Sequence, residues 1–152
     1  MCNVIESRSR MRINFKLLSE LAVPPKHATA GAAGYDLTAA RVDPPEMRNG
    51  RFLYKYHTDV AFEIPPGYVG LVFSRSSIVK TGAILGNCAG VIDSDYRGEI
   101  SFVFYSMVNA PYKVGERIGQ IVIMPVPAVE FVEAEELSET ERGKGGYGST
   151  GK

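Results

Sequence analysis

Apolar and polar residues alternate along most of the chain from Arg12 onward. This period-two pattern is typical of β-strands, whose successive side chains point to opposite faces of a sheet. The first run places Ile13, Phe15 and Leu17 on one side, and proline and glycine clusters separate it from later runs. We predict strands at residues 12–19, 35–40, 52–56, 60–64, 68–73, 100–108, 117–124 and 129–132.

Apolar residues at helical spacing do not persist for three turns anywhere in the sequence, so the chain is predicted to be nearly all-β. The predicted fold is a jelly-roll-like β-barrel or sandwich of short strands. One short helix is expected near residues 76–81, because Ser76 and Ser77 are good N-caps and Gly82 is a good stop.

The length of 152 residues suits a single domain that spans residues 1–152. Residues 1–11 are polar and mixed, and we expect them to form a loose N-terminus. Residues 138–152 contain five glycines and a single aromatic residue, Tyr147. Such a segment cannot offset the entropy of its own ordering, so the sequence predicts a mobile C-terminal arm.

The chain carries 17 basic and 17 acidic residues, a balance that disfavours binding to nucleic acid or to an anionic membrane. Two cysteines, Cys2 and Cys88, and two histidines, His27 and His57, lack paired spacing, so neither a zinc site nor a disulfide framework is predicted. The most apolar stretch, 118–129, contains a glutamine and two prolines and is too short to span a bilayer. We therefore expect a soluble protein of the reducing cytoplasm.

The segment Gly86 to Ile100 concentrates polar residues in what the pattern predicts to be a hairpin-like loop between strands. Asp93, Asp95 and Tyr96 lie at its bend, and Asn87 precedes them. Asp, Ser and Gly are ordinary turn residues, so a solvated turn is one interpretation. The other is a binding site, because a ring beside a carboxylate and an amide suits a planar heterocycle with a sugar.

A second candidate site is the start of the predicted helix, where Arg75 precedes Ser76 and Ser77. Hydroxyls, backbone donors and a guanidinium fork suit an anion, although an ordinary capped helix with a surface arginine accounts for the same residues. Gln120 lies in an otherwise apolar strand, and its side chain either faces solvent at the surface or binds a ligand. For Asp36 two interpretations also remain, an ordinary turn residue and a functional residue.

Five segments of the chain stand out: AAGYDLTAA at 32–40, SRSSIV at 74–79, GNCAGVIDSDYRGEI at 86–100, GERIGQIVI at 115–123 and RGKGGYGSTG at 142–151. In this order they resemble the five signature motifs of the trimeric dUTP pyrophosphatases, or dUTPases. Each string alone is weak evidence, but five in the family's order form a strong signal. The resemblance implies hydrolysis of dUTP to dUMP and pyrophosphate by a homotrimer with shared active sites.

The third motif implies how the base is bound and how water is activated. Asp93 is the implied general base, and Asp95 is the competing candidate, ranked second. The strand-like backbone at Val91 and Ile92 would receive uracil, with the Asn87 amide completing the recognised edge.

The same resemblance gives Tyr96 the role of packing on the deoxyribose, where it would exclude a 2′-hydroxyl by a clash. Asp36 would belong to the network that holds Arg75 and magnesium-bound waters. Mg²⁺ itself would be held by the substrate phosphates and waters, with no direct protein ligand.

The remaining implied contacts concern the phosphates and the arm. Ser77 stands where the family usually has glycine, which puts the backbone contact of that position in doubt. In the arm, Tyr147 would stack on the base, while Gly148 and Ser149 would wrap the triphosphate. The residues implied to contact phosphate are Arg75, Ser76, Ser77, Gln120 and Arg142.

Two other functions are kept as alternatives. The first is a dCTP deaminase or a bifunctional relative on the same fold. The deaminases resemble this chain in the RSS string, but we find no glutamate at the place of their base, and the DSDY string favours the dUTPases. A non-catalytic regulatory protein on the same scaffold is the second alternative. A P-loop is rejected, because GYGSTGK at 146–152 follows no strand and lacks the final Ser or Thr. The stretch 42–51 receives no interpretation from the sequence.

Overall fold

The computed structural model describes residues 11–107 and 110–146, and these fold almost entirely as strands. A short 3₁₀ helix at Ser76–Lys80 follows the seventh strand and occupies the place predicted for the helix. The strands of the described residues are β1 Asn14–Leu17, β2 Lys26–His27, β3 Tyr35–Thr38, β4 Arg41–Val42, β5 Glu46–Arg48, β6 Arg51–Glu63, β7 Tyr68–Ser74, β8 Ala83–Leu85, β9 Gly90–Ile92, β10 Glu99–Ser106 and β11 Arg117–Pro125.

The strands form two antiparallel sheets. In the first sheet the order is β1-β6-β10-β8, with β4 and β5 also paired to β6. In the second sheet the order is β2-β3-β11-β7-β9. Because both sheets are open in the described part of the chain, the fold is a sandwich rather than a closed barrel, and the prediction of an all-β fold is confirmed.

The core lies between the sheets and is built from the inward-facing residues of β6, β7, β10 and β11. Along β10 buried residues alternate strictly with half-buried ones, as the period of a strand requires. The rings of Phe102 and Phe104 stack with their centroids 6.1 Å apart. Gly119 on β11 lets the sheets approach closely, because a Cβ there would overlap the Phe102 ring.

The long strand β6 joins the two runs predicted at 52–56 and 60–64 into one element. An irregularity separates them, since Ser101 pairs with His57 whereas Glu99 pairs with Ala61. Asp59 lies within it at a φ of 52°, the left-handed region that aspartate tolerates better than most residues. The irregularity adds two residues to β6 relative to β10, so the alternation is unchanged and the apolar residues of both halves stay on the core side.

The predicted hairpin at 86–100 is wrong as a strand pairing. β8, which precedes it, pairs with β10 in the first sheet, whereas β9 pairs with β7 in the second. The chain therefore crosses from one sheet to the other at 86–89 and crosses back at 93–98. The loop interpretation of the Asp93 bend is nonetheless correct, and its residues lie between the two sheets' edges rather than at a hairpin tip.

The predicted strand at 129–132 is also wrong for the described chain. The backbone N–H of Val126 donates to the Gly67 carbonyl at 2.8 Å, and no hydrogen bond joins residues 127–139 to the rest of the described chain. Phe131 is 96% exposed and Leu137 is 88% exposed. The alternation is present in the sequence, but within one chain these residues have no neighbouring strand to pair with.

A charged cluster lies where β4, β6 and β10 meet. The Arg41 guanidinium contacts Asp59 at 3.0 Å and Glu99 at 3.1 Å. The buried His57 ring lies between Glu99, at 2.8 Å from Nδ1, and Asp43, at 3.0 Å from Nε2. We call these five residues the His57 cluster.

The His57 cluster ties the stability of the fold to pH. Burial raises the pKa of Asp59, but the hydrogen bond from Ser19 and the Arg41 guanidinium outweigh it and keep that pKa below its ordinary value. A carboxyl whose pKa is lower in the folded state stabilises the fold above its unfolded pKa, about 4, and this stabilisation is lost as the pH falls through the folded value.

We therefore expect the free energy of unfolding to fall as the pH drops below about 4, and to fall less in an Asp59→Asn variant. Urea denaturation at several pH values and one protein concentration measures both curves. If the variant and the parent lose stability in parallel, Asp59 is not the group responsible.

Within the described residues, no helix has the length and apolar character needed to cross a membrane.

Candidate active site

Three strands of the second sheet bring Asp36, Arg75 and Gln120 to one place. Gln120 on β11 pairs with Asp36 on β3 on one side and with Phe73 on β7 on the other. Arg75 follows the last residue of β7, so it lies two residues beyond that pairing. The structure thus unites residues that the sequence separates by more than 80 positions. We call these three residues the arginine site.

Asp36 fixes the arginine of this site. Its Oδ1 accepts a hydrogen bond from Arg75 Nε at 3.1 Å, and its Oδ2 accepts one from Arg117 Nη1 at 2.9 Å. The Asp36 side chain is only 11% exposed, so both carboxylate oxygens are engaged at the edge of the core. Such charge-assisted bonds restrict the Arg75 side chain and leave its terminal N–H groups available for an anion.

Sequence reasoning missed Arg117. It lies in the fourth motif, three residues before Gln120, at an irregularity of β11 next to the Asp36 strand. The signal was a second arginine near an implied phosphate contact, but its partner lies 81 residues away in the sequence. Arg117 is half-exposed, and it places a second positive charge beside Arg75.

The 3₁₀ helix presents Ser76 and Ser77 directly after Arg75. Arg75, rather than a serine, is the N-cap residue, in an extended conformation and without a side-chain cap. The predicted capping by Ser76 or Ser77 is therefore wrong, because the chain enters the helix one residue earlier. Ser76 is exposed and Ser77 is partly buried, so the Ser76 hydroxyl is the more accessible of the two beside the guanidinium.

Gln120 is held in the middle of the sheet rather than at an edge. Its side-chain Nε2 donates to the Ser74 carbonyl at 3.4 Å. The carboxamide lies against Gly34, where a Cβ would overlap Oε1. Gly34 must be a glycine because the Gln120 side chain leaves no room for a Cβ there.

A second group of predicted residues surrounds β9. Gly90 is opposite Val72 on β7, and the Asn87 carboxamide lies beside Gly90. Val91 is 63% exposed, whereas Ile92 packs against the core. β9 has its other edge unpaired in the described chain, so its backbone groups are placed to bind a ligand edge.

Asn87 also borders a cavity of about 300 Å³ between the two sheets' edges. Val72, Phe102 and Tyr105 contribute apolar surface to it. An amide at the rim of an apolar cavity is a common arrangement for holding a planar ring.

The residues after β9 form a compact turn. The Tyr96 N–H donates to the Asp93 carbonyl at 3.2 Å, and Arg97 Nη1 donates to the Ser94 carbonyl at 2.7 Å. Asp93 and Asp95 are both exposed, and both border a groove of about 670 Å³. Asp93 is therefore open to water, as a general base must be.

The Tyr96 ring is fixed from two directions. Its hydroxyl donates to the Glu99 carbonyl at 3.1 Å, and its ring covers Gly98, where a Cβ would overlap it. Tyr96 as a whole remains 45% exposed, which leaves part of its side chain free to contact a ligand.

The arginine site and the Asp93 turn lie at opposite ends of the second sheet. Ile92 pairs with Gly70, and Arg75 lies five residues further along the chain, just past the end of β7. At about 3.3 Å per residue this places Arg75 roughly 16 Å beyond the level of Ile92. One chain therefore does not bring its own Asp93 to its own Arg75.

The described part of the arm, 138–146, is exposed apart from the partly buried Gly145. Arg142 is engaged locally, since its Nε donates to the Gly145 carbonyl at 3.0 Å. The structure does not bring Arg142 to the arginine site. The predicted contacts of Tyr147, Gly148 and Ser149 lie outside the described residues.

Among the described residues no group of three or more His, Cys, Asp or Glu side chains is arranged to hold a metal ion. The carboxylate oxygens of Asp36 are both taken up by arginines. A divalent cation at the arginine site would therefore rely on ligands that the substrate and water provide.

Comparison with known proteins identifies the family. A family model described as dUTPase matches residues 21–151. The deoxyuridine 5'-triphosphate nucleotidohydrolase of Nautilia profundicola is 41% identical over 148 residues, which cover 93% of this chain and 100% of that protein.

Solved structures agree with the family match. A mutant of the Staphylococcus bacteriophage 80alpha dUTPase with dUpNHpp has a TM-score of 0.76 and 29% identity, and the match covers 92% of this chain and 98% of that one. A mutant dUTPase from phage phi11 of S. aureus, whose structure concerns the coordination of a structural Mg(II) ion, has a TM-score of 0.69 and 25% identity over 85% of this chain and 100% of that one. By sequence and by structure, this chain belongs to the dUTPase family.

Proposed function

We propose that this protein hydrolyses dUTP to dUMP and pyrophosphate, by attack of water on the α-phosphorus. The observation that carries the proposal is the arginine site, in which the mostly buried Asp36 fixes Arg75 beside Gln120. A preorganised guanidinium of this kind suits the oxygens of a phosphate chain, because its charge needs no reorganisation when negative charge develops during reaction. The family membership specifies the nucleotide.

Asp93 serves as the general base. It is exposed at the turn after β9, so its carboxylate can orient a water molecule and accept its proton. Asp95 borders the same groove and remains the second candidate. The hydrogen bonds of the turn use backbone carbonyls and not the side chains of these two residues. Both carboxylates are therefore free for chemistry.

Uracil binds at the unpaired edge of β9. The backbone of Val91 and Ile92 contacts the base in the manner of a neighbouring strand, and the Asn87 carboxamide completes the recognised edge. Cytosine presents the opposite donor and acceptor pattern at that edge, so it is rejected by unpaired polar groups. Tyr96 covers the sugar and leaves no room for a 2′-hydroxyl.

Mg²⁺ accompanies the substrate and supplies positive charge to the phosphates. The engaged oxygens of Asp36 fit a role in which the carboxylate orders arginine and water, and no described cluster offers a cage of direct ligands. This matches the preference of Mg²⁺ for phosphate and water oxygens.

The active protein is a homotrimer whose active sites each combine residues of different subunits. The separation of roughly 16 Å between the Ile92 level and Arg75 supports this, since a triphosphate reaction needs base and phosphate contacts in one place. In such an assembly the Asp93 turn of one copy faces the arginine site of another. The arm supplies Arg142, and with it Tyr147, Gly148 and Ser149, to the same site. A cytoplasmic location fits this reaction on a free nucleotide.

The function is tested by pyrophosphate release from dUTP, dCTP, dTTP, dATP and dGTP with Mg²⁺ present. We expect release from dUTP far above that from the others. Ammonia release from dCTP would instead identify a deaminase, and absence of turnover on every nucleotide despite dUTP binding would identify a non-catalytic protein.

Replacing Tyr96 by alanine should narrow the preference for dUTP over UTP. The Tyr96 ring is anchored on Gly98 and Glu99, so its removal opens the space beside the sugar without changing the base-binding strand. The ratio of kcat/KM for the two nucleotides measures the effect. An unchanged ratio would mean that Tyr96 does not discriminate the sugar.

A further inference from the structure

We infer that His57 is a positioning residue for Tyr96 that acts, as a doubly protonated imidazolium, through Glu99, so that sugar discrimination depends on the charge of a buried histidine. The inference rests on the proposed function, because it concerns the residue that we place against the deoxyribose. The observation is the His57 cluster, which lies directly behind the Tyr96 anchor.

Each ring nitrogen of His57 lies beside a carboxylate. Nδ1 is 2.8 Å from Glu99 Oε2, and Nε2 is 3.0 Å from Asp43 Oδ2. A neutral imidazole has one N–H and would turn a lone pair toward one of these carboxylates. Only the imidazolium donates to both.

Charge balance around the ring favours the same state. Three carboxylates face it or its contacts: Asp43 after β4, Asp59 on β6 and Glu99 on β10. The cations near them are Arg41, which contacts all three, and Lys55, whose charge acts on Asp43. The His57 hydrogen bond is also the main cause that lowers the pKa of Asp43.

Glu99 transmits the state of His57 to Tyr96. Its carboxylate accepts hydrogen bonds from His57, from Arg41 and from the Asp59 N–H at 2.8 Å, so three donors from two strands fix it. The carbonyl of the same residue accepts the Tyr96 hydroxyl. When the imidazolium gives up its Nδ1 proton, the Glu99 carboxylate keeps Arg41 and the Asp59 N–H but loses its third donor and faces a lone pair, so the start of β10 is held less tightly.

The test compares the ratio of kcat/KM for dUTP and UTP between pH 6 and pH 9. In the parent protein the ratio should be higher while both ring nitrogens of His57 are protonated, and lower once one of them is bare. A pH effect that acts equally on both nucleotides, such as protonation of the general base, cancels in this ratio. His57→Gln should show a ratio about three- to tenfold lower at the acidic end, the effect of losing one hydrogen bond, and no further change with pH.

Two variants separate positioning from mere structural support. His57→Lys keeps a positive charge across the range, so the ratio should stay near its high value and become independent of pH. His27→Gln is the matched control, because His27 is the chain's other histidine and lies on β2, packed against Tyr35 with ring centroids 3.7 Å apart. This control should keep the parent's pH response.

A measurement without substrate completes the test. Nitrogen NMR of the labelled histidine rings should show both His57 nitrogens protonated at pH 6. An unprotonated ring nitrogen of His57 at that pH would overturn the inference. A ratio of kcat/KM for dUTP and UTP in His57→Gln equal to that of the parent would overturn it as well. If the parent hydrolyses no dUTP, the proposed function fails, and the ring spectrum still decides the protonation state of His57.

Discussion

An Asp93→Asn variant should fold, assemble and bind dUTP, yet lose turnover by a factor of about 100 to 10,000. Asparagine has nearly the same shape, and the Asp93 backbone carbonyl that holds the turn is unchanged. The amide, however, cannot accept a proton from the attacking water. The loss should therefore appear in kcat, measured by pyrophosphate release, with little change in dUTP affinity measured by calorimetry.

Asp95→Asn is the matched control for this prediction. It removes the same charge two residues away, at the edge of the same groove, and it separates loss of a base from loss of negative potential. We expect a much smaller effect on kcat than Asp93→Asn produces. If Asp93→Asn keeps the parent's turnover, Asp93 is not the base. If Asp95→Asn loses more turnover than Asp93→Asn, the base is assigned to Asp95.

A chain that ends at Glu141 should keep its fold and assembly but lose nearly all catalysis. The described residues 142–146 contact each other and their own turn, and they add no apolar surface to the core, so their removal costs little stability. Arg142 would no longer reach the phosphates, and the Tyr147 ring would be absent. Because such closing contacts belong to the transition state more than to the ground state, the loss should appear in kcat.

Thermal unfolding provides the control for the truncated chain, which should melt near the parent's temperature. An Arg142→Ala variant of the full chain divides the effect between the guanidinium and the rest of the arm. Protease cleavage within the arm should be slower when a non-hydrolysable dUTP analogue and Mg²⁺ are bound. A truncated protein that melts normally and hydrolyses dUTP at the full rate would remove the arm from the reaction.

The strands of four or more residues could be predicted from the sequence because alternation is a local property. The prediction failed where a strand depends on its partner. Residues 129–132 alternate like β10, but they find no neighbour in the described chain, and the 86–100 segment resembles a hairpin although its strands belong to different sheets. Pairing is a long-range property that a one-dimensional pattern does not contain.

The same limit governed the site. Arg75, Gln120 and Asp93 could be proposed as site residues from motif strings, because each motif is local. Arg117 was missed, since its role depends on Asp36 and 81 residues separate the two. His57 was dismissed for lack of metal-ligand spacing, yet its two carboxylate partners come from a loop and from β10.

The central claim is that each active site joins the Asp93 turn of one copy to the arginine site of another, and mixing two inactive variants tests it most directly. Asp93→Asn and Arg75→Ala should each be nearly inactive alone. Unfolded together in equal amounts and refolded, three-quarters of the trimers would be mixed, each with one of three sites carrying both parental residues, so about a quarter of the parent's activity should return. Recovery near that level supports shared sites. No recovery, in a mixture shown by light scattering to contain trimers, would contradict the account.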